Sequence, residues 1–173
     1  MIKAFAWAGA AALLAAGTVA TKAADINDAQ IAHIAYTAGN IDIAAAKQAL
    51  AKSKNAKVRA FAQEMVRDHE AVNQKALALV KKLGVTPEDN ATSKSLSDAA
   101  AAERKKLAGM SGAAFDKAYA ANEVAYHKTV NGALDSTLIP GASNAELKSL
   151  LQTGLTLFRE HQMHAEHLVG ELK

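Results

Sequence analysis

The segment NAKVRAFAQEMVRDHEAVNQKALALVKKLG, residues 55–84, has the most regular helical pattern in the chain. Asn55 is a good N-cap, and Gly84 followed by Pro87 marks the end of a helix. The apolar residues between them recur at a spacing that places them on one helix face. That face comprises Val58, Phe61, Ala62, Met65, Val72, Ala76 and Leu79, with His69 among them. The segment predicts one long amphipathic helix that buries a histidine.

Three other segments have helical periodicity with recognisable ends. One helix is predicted to begin in the capping sequence of residues 27–30 and to end near Ser53. Another begins after Ser111-Gly112 and stops at Pro140-Gly141, because proline and glycine both interrupt helices. The last opens with a capping box formed by Ser143-Asn144-Ala145-Glu146. Its apolar stripe comprises Leu147, Leu150, Leu151, Leu155, Phe158, Ala165 and Leu168, and His161 lies within it.

Residues 86–110 form the one long connection, a loop followed by a short alanine-rich helix around Ser95 to Leu107. The chain of 173 residues suits a single domain once a leader is removed. Half of the residues are hydrophobic, mostly alanine, and no strand-like alternation is present. The sequence therefore predicts an all-α domain over residues 24–173. Its fold is a bundle of four long helices with a crossover that contains a short extra helix.

Residues 1–23 have the pattern of a signal peptide. A positive start at Lys3 precedes an apolar stretch and small residues, with cleavage expected after Ala20 or Ala23. The apolar stretch is shorter than the roughly 20 residues of a membrane span, although an uncleaved N-terminal anchor is the alternative. No other segment is apolar enough to cross a bilayer, so the protein is expected to be periplasmic or secreted.

The charge of the mature chain argues against nucleic-acid binding. Removing the leader with Lys3 and Lys22 leaves 18 basic against 17 acidic residues, which provides no footprint for a phosphate backbone. Lysines 47, 52, 54 and 57 with Arg59 form a local basic patch, which we interpret as solvated surface. The chain has no cysteine, so a lipoprotein anchor and disulfides are excluded.

Histidine and carboxylate side chains suggest a metal site between the helices. His69 and His161 lie on apolar stripes, where an unpaired polar group is costly. Glu123 and His127 are four residues apart and share a face of the third long helix. Asp42 borders the apolar stripe of the first helix. One carboxylate and three imidazoles from four helices would suit a single zinc, copper or iron ion.

Two other interpretations of these residues stay open. Buried histidines are often held by a hydrogen bond alone, and Tyr119 and Tyr126 are predicted core residues that aim their hydroxyls at polar partners. His164 is a further candidate ligand, since His161, His164 and His167 recur every three residues beside Met163. These three histidines drift around the helix, so we expect one to point inward and two to lie at the rim. No nucleophile elbow or phosphate-binding loop is present, and an enzyme ranks last.

Residues 55–69, ending in Phe-Ala-Gln-Glu-Met-Val-Arg-Asp-His, resemble a widespread family of exported bacterial proteins whose domain has no assigned function. Residues 112–119, residues 126–128 and the His161 segment fit the same family, and the resemblance covers residues 28–172. Its members are often labelled outer-membrane proteins, a label to which nothing in this sequence corresponds. The resemblance implies a ferritin-like four-helix fold.

The same resemblance implies one inward carboxylate on the first helix and one inward histidine on each of the other three. These positions correspond to Asp42, which is commonly glutamate in the family, and to His69, His127 and His161. The Glu-x-x-His spacing of di-iron bundles is missing, because Glu64 precedes His69 by five residues and Glu123 precedes His127 by four. Iron oxidation or oxygenation is therefore not expected.

Three functions follow from these patterns. The first is an exported helical bundle that binds one transition-metal ion and serves metal or stress homeostasis. The second is a metal-free structural or interaction protein of the envelope, in which the basic patch meets an acidic partner. Either can form a homo-oligomer or bind an envelope protein. The third, a metalloenzyme, requires a coordination position that water can reach.

Overall fold

The computed structural model describes residues 26–172. The predicted signal peptide, residues 1–23, lies outside the described residues. Over the described part the chain is helical and contains no strand, which confirms the predicted all-α bundle. The helices are α1 (Asp28–Lys52), α2 (Ala56–Leu83), α3 (Ala91–Ala108), α4 (Gly112–Ala133), α5 (Ile139–Gly141) and α6 (Ala145–Glu171), with a π-helical segment (Leu134–Leu138) between α4 and α5.

Side-chain caps fix the starts of α1, α2, α3 and α6, and the caps of α1 and α2 are those that the sequence predicted. Asn27 caps α1 in a reciprocal box with Gln30, and Asn55 accepts hydrogen bonds from the first turn of α2. Gly84 ends α2 with φ of +65°, a conformation that suits glycine. The predicted box at the start of α6 is wrong by one residue. Asn144 is the cap, because its side-chain oxygen accepts hydrogen bonds from the amides of Glu146 and Leu147.

The crossover helix α3 is longer than predicted. It begins at Ala91 rather than near Ser95, because Asn90 and Ser93 exchange side-chain and backbone hydrogen bonds and so cap an earlier turn. The helix packs against α1 and α4 on the outside of the bundle. At the far end of α4, helical backbone continues to Gly141 through the π-helical segment, which confirms the predicted stop. Pro140 has no amide proton, so an α-helical bond is lost there.

Contacts between helix ends show how the four long helices run. Asp28 at the start of α1 accepts hydrogen bonds from the backbone amides of Ser143 and Asn144 just before α6, so α1 and α6 run in the same direction. The salt bridge from Lys82 to Glu146 joins the end of α2 to the start of α6. Helix α2 is therefore antiparallel to α6. Each long helix packs against two others, in the cyclic order α1, α2, α6, α4.

Two apolar clusters fill the bundle, and a polar layer separates them. Along every long helix the residues of one cluster come first, then a buried ionisable residue, then the other cluster. One cluster includes Ala45, Ala49, Phe61, Met65, Phe115, Tyr119, Ala165 and Leu168. The other includes Ile31, Ile34, Leu134, Leu138, Leu147, Leu151, Leu155 and Phe158. The predicted stripes thus form a core at both ends, and the fold places the candidate site between them.

The described helices show no membrane span. Between residues 26 and 172, none combines the length and the mean hydropathy that crossing a bilayer requires.

Helices α1 and α2 approach each other closely at Gly39. A Cβ atom at this position would overlap the side-chain amide of Asn73, which is 6% exposed and donates a hydrogen bond to Asn40 Oδ1 at 3.0 Å. Glycine is therefore required here by the space between two helices, although it weakens an isolated helix by about 1 kcal/mol relative to alanine.

We expect Gly39→Ala to lower the free energy of unfolding by about 1–3 kcal/mol, because the steric conflict outweighs the gain in helix propensity. In an Asn73→Ala background the same change should become stabilising by up to about 1 kcal/mol, since the obstructing amide is gone. Urea unfolding of the four proteins of this double-mutant cycle measures both values. The same sign of Gly39→Ala in both backgrounds would contradict the contact.

Candidate metal centre

The polar layer brings together ionisable side chains from all four long helices. Helix α1 supplies Asp42, α2 supplies His69, α4 supplies Glu123 and His127, and α6 supplies His161. Each of the five is at most 2% exposed. Five of the six predicted site residues therefore lie in one buried layer.

The distances in this layer are those of a compact cluster. Asp42 Oδ2 lies 3.4 Å from His69 Nε2 and 3.4 Å from His127 Nε2. The ring centroids of His69, His127 and His161 are 5.3 to 5.8 Å apart. One ring nitrogen from each of these three histidines lies within 4.8 Å of the chosen nitrogens of the other two. In a second triad, one carboxylate oxygen each from Asp42 and Glu123 and one nitrogen of His127 also lie within 4.8 Å of one another. The donors of each triad are close enough to share one ion, and His127 belongs to both triads.

The orientations of His127 and His161 are set by hydrogen bonds. His127 Nδ1 lies 3.0 Å from the backbone oxygen of Glu123 and donates to it, so the Nε2 lone pair faces Asp42. His161 Nε2 lies 3.1 Å from Asp68 Oδ2, and its Nδ1 is buried with no hydrogen-bond partner among the described residues. A bond on one ring nitrogen decides which nitrogen can bind a metal.

Asp68 belongs to the candidate site, although the helical pattern of the sequence did not single it out. It lies off the apolar stripe of α2, yet its side chain is only 18% exposed and contacts α6. Arg67 donates two hydrogen bonds to its carboxylate. Burial alone would raise the pKa of Asp68, but the bonds from Arg67 and His161 outweigh it and lower that pKa. The adjacent position of Asp68 and His69 is the sequence feature that could have indicated this contact, since neighbouring residues on one helix can contact two different helices.

His69 is enclosed by aromatic rings. The phenyl ring of Phe158 stacks on its imidazole with centroids 4.6 Å apart and planes 12° from parallel. Within the described part of the chain neither His69 nitrogen has a hydrogen-bond partner. The stacked ring excludes water from one face of the imidazole, and the free nitrogens remain available in the plane.

Burial keeps the three histidines neutral. Burial, then the neighbouring His127 and His161, lower the pKa of His69 well below its ordinary value. Burial lowers the pKa of His127 to about 4. Burial also lowers the pKa of His161, although the Asp68 carboxylate opposes that change. Neutral imidazoles are the form that binds metals.

Burial has the opposite effect on the two carboxyl groups. It raises the pKa of Asp42 to about 7. Burial and then the charge of Asp42 raise the pKa of Glu123 well above its ordinary value. A bound dication would compensate these charges, which the neutral histidines do not.

Unpartnered polar atoms test whether the layer fits a metal. Both oxygens of Asp42, both nitrogens of His69, His127 Nε2, His161 Nδ1 and Glu123 Oε2 are buried without a hydrogen-bond partner among the described residues. Buried polar groups nearly always have a partner. Three imidazole nitrogens with one or two carboxylate oxygens suit Zn²⁺, Cu²⁺ or Fe²⁺. The residues therefore fit a first-row transition metal.

His164, the sixth predicted ligand, lies apart from this layer. Its side chain is 43% exposed, its Nδ1 pairs with Glu64 at 2.7 Å, and its ring contacts Phe61 edge-on. His167 is also exposed, so the prediction of one inward histidine on α6 is confirmed. Met163 is 61% exposed and provides no sulfur ligand to the buried layer.

Tyr119 is buried and Tyr126 is partly buried, and the two differ in how their hydroxyls are satisfied. Tyr126 donates to the backbone oxygen of Ala38 at 2.8 Å, as predicted. The Tyr119 hydroxyl has no hydrogen-bond partner among residues 26–172, so that part of the prediction is wrong.

The basic patch is largely committed to contacts within the chain. Lys47 pairs with Glu70 and Lys57 with Glu171. Lys52 donates to the last carbonyl of α3, and Arg59 donates to the backbone oxygens of Leu50 and Ser53. Most side chains of the basic patch are therefore bonded within the chain, so the patch gives little support to the hypothesis of an acidic partner at this surface.

We expect Asp42→Asn to stabilise the metal-free protein, and more at pH 8 than at pH 5. Burial raises the pKa of Asp42 from 3.8 to about 7, so between these values the folded state binds more protons than the unfolded chain. Stability therefore falls as pH rises through this window. Asparagine keeps the shape and removes the charge, so the gain at pH 8 should be about 2–4 kcal/mol. Urea unfolding with a chelator present measures it.

The matched control is Asp98→Asn on α3, where the carboxylate is 68% exposed. This substitution should change stability by less than about 0.5 kcal/mol at either pH. A gain for Asp42→Asn that does not depend on pH would show that ionisation of Asp42 is not its cause.

The chain was also compared with known proteins. Residues 13–168 match the model of one protein family, described as "Domain of unknown function (DUF4142)". No curated protein and no solved structure matches the chain. The matched range contains all five residues of the buried polar layer and Asp68. This chain belongs to the DUF4142 family of domains of unknown function.

Proposed function

We propose that this domain binds a single transition-metal ion between its four long helices. The observation that supports the proposal best is the convergence of unpartnered, buried donor atoms from four different helices on one layer. Its physiological role would be metal or stress homeostasis. The proposal is one of binding, and no reaction is assigned.

Asp42, His69, His127 and His161 are the ligands in this proposal, and Glu123 is available as a fifth donor. The geometry leaves His127 Nε2 and His161 Nδ1 free, because their other nitrogens are already paired with Glu123 and Asp68. Three nitrogen donors and one carboxylate favour zinc, copper(II) or iron(II). Sulfur is absent from the donor set, which argues against copper(I).

A metal-free hydrogen-bond network is the competing explanation, and the distances disfavour it. Both contacts of Asp42 with histidine are 3.4 Å, and neither has hydrogen-bond geometry. Good charge-assisted hydrogen bonds are about 2.7–2.9 Å long. A network that had evolved to hold these side chains without an ion would pair them more closely. Two donor atoms that each bind the same ion at about 2 Å lie farther apart than two atoms joined by a hydrogen bond.

The ferritin-like relationship of the bundle is also part of this proposal. Helices α2 and α4 both run from the Phe61–Tyr119 cluster toward the Leu134–Leu138 cluster, so they are parallel. The chain must travel the length of the bundle between them, and α3 spans that distance. One long crossover between two antiparallel pairs is the arrangement of ferritin-like folds.

The metal content of residues 24–173, purified without an affinity tag or chelator, tests the proposal. We expect near-stoichiometric transition metal by elemental analysis, lost in the His69→Ala/His161→Ala variant. His164→Ala is the matched control, since His164 lies on the same helix but outside the layer, and it should retain the metal. A native protein that is isolated empty and refuses zinc, copper and iron in titration would refute metal binding.

Asp68 should act as a positioning residue for His161. Asp68→Asn keeps the shape but weakens the bond to His161 Nε2, and we expect about 10–100-fold lower metal affinity with unchanged stoichiometry at saturation. Glu70→Gln on α2 is the control, because Glu70 pairs only with the surface residue Lys47. Nitrogen NMR of the imidazoles should show that His161 Nδ1 is the metal-bound atom. Coordination through Nε2 would contradict the role of Asp68.

We propose further that the protein is exported to the periplasm or secreted, on the basis of the sequence pattern of residues 1–23. Mass spectrometry of the protein from an envelope fraction should find a new N-terminus after Ala20 or Ala23. An intact N-terminus in the cytosolic fraction would refute export.

A further inference from the structure

A pocket of about 290 Å³ lies between α1, α3 and α4 and reaches the polar layer from one side. We call it the α3 pocket. Its wall includes Asp42 and Glu123, together with the small side chains of Ala45, Ala99 and Ala100. The three buried histidines do not line it. The α3 pocket therefore approaches the candidate centre from the carboxylate side.

The two acidic residues of the layer that line the α3 pocket are themselves almost completely buried, and their carboxylates lie just behind its wall. Asp42 and Glu123 are each 1% exposed, yet Asp42 Oδ1, Asp42 Oδ2 and Glu123 Oε2 have no hydrogen-bond partner within residues 26–172. Carboxylate oxygens in this state are strong acceptors for a cation. An ion in the pocket would meet these two groups before it met an imidazole.

The histidine side of the layer is closed by contrast. Phe158 stacks on His69, and Asp68 with Arg67 covers the outer nitrogen of His161. An ion that approached from α2 and α6 would have to break these contacts. The protein interior is too closely packed to pass an ion without such a rearrangement.

Helix α3 is held at its two ends and covers the pocket loosely between them. Asn90 caps its start and contacts the Gln30 backbone oxygen of α1, while Gln48 and Lys52 of α1 bond the carbonyls of its last turn. Only Ser93 and Leu107 are buried on this helix. The residues from 94 to 106 that face the pocket have no fully buried side chain.

From this arrangement we infer that the α3 pocket is the access route by which a hydrated divalent transition-metal ion reaches the buried centre. Asp42 and Glu123 receive the ion and pass it to the histidines, and α3 covers the route. The inference rests on the proposed metal binding. A water molecule occupies about 30 Å³ of liquid, so the pocket has room for an ion with part of its hydration shell.

Co²⁺ uptake by the metal-free protein tests the route, because the visible absorption of bound Co²⁺ follows the rate directly. Ala100→Leu adds an isobutyl group at a position that lines the pocket. Ala101→Leu is the matched control, on the next residue of the same helix, which is exposed and does not line the pocket. We expect at least a tenfold slower uptake for Ala100→Leu, native rates for Ala101→Leu, and full final stoichiometry for both.

Reversible blocking keeps the test independent of misfolding. The chain has no cysteine, so Ala100→Cys can be modified by a bulky methanethiosulfonate reagent and restored by a reductant. Labelling should slow Co²⁺ uptake and reduction should restore it, whereas a label on Ala101→Cys should have no effect. Equal uptake rates at full stoichiometry for the Ala100 variants and the native protein would overturn the route alone. A native protein that takes up no Co²⁺ at equilibrium would overturn metal binding and the route together.

Discussion

The contact of the Asp42 carboxylate with His69 and His127, in a layer where no residue is more than 2% exposed, is the constraint on which the rest of the structure depends. Removing five ionisable groups from water costs several kcal/mol unless other groups compensate. Burial keeps the histidines neutral, which avoids part of this cost. The carboxyl groups have raised pKa values, and most of the polar atoms in the layer have no hydrogen-bond partner among the described residues. A dication supplies what the protein atoms do not, namely positive charge and several short bonds at once.

The apolar clusters on the two sides of the layer explain how such a cost is tolerated. Each long helix contributes apolar side chains on both sides of its polar residue, so the helices are held in register at both ends. The close approach of α1 and α2 at Gly39 fixes the height of Asp42 relative to His69. The backbone carbonyl of Glu123 and the Arg67–Asp68 pair then select the nitrogens that His127 and His161 present. The side chains of the candidate centre are therefore held in place by the protein's own contacts.

The candidate metal centre is closed more tightly on one side than on the other, and this limits the functions that suit it. Aromatic and charged contacts close the side of α2 and α6, while small residues and a single loosely packed helix cover the side of α1 and α4. In the proposed site, three histidines and a carboxylate would hold the ion, and the proposed route under α3 would let it exchange. The basic surface of the sequence, by contrast, is used to bond helix ends. Binding of an ion accounts for more of the structure than recognition of an acidic partner does.

Much of the fold could be predicted from the sequence, because helix periodicity and capping are local. Asn27 and Asn55 cap the starts of α1 and α2, and Gly84 ends α2, where the sequence indicated. The stripes that contain His69 and His161 face the core. The errors arose beside contacts between residues that are far apart in the chain. The cap of α6 is Asn144 rather than Ser143, and the amides of both residues donate to Asp28 on α1. Asp68 turns inward because His161, 93 positions away, lies beside it. The sequence by itself determined the helices and which histidines are buried. Only the tertiary structure decided the partner of each ring nitrogen and the open side of the centre, since hydrogen-bond choice and cavities depend on neighbours from other helices.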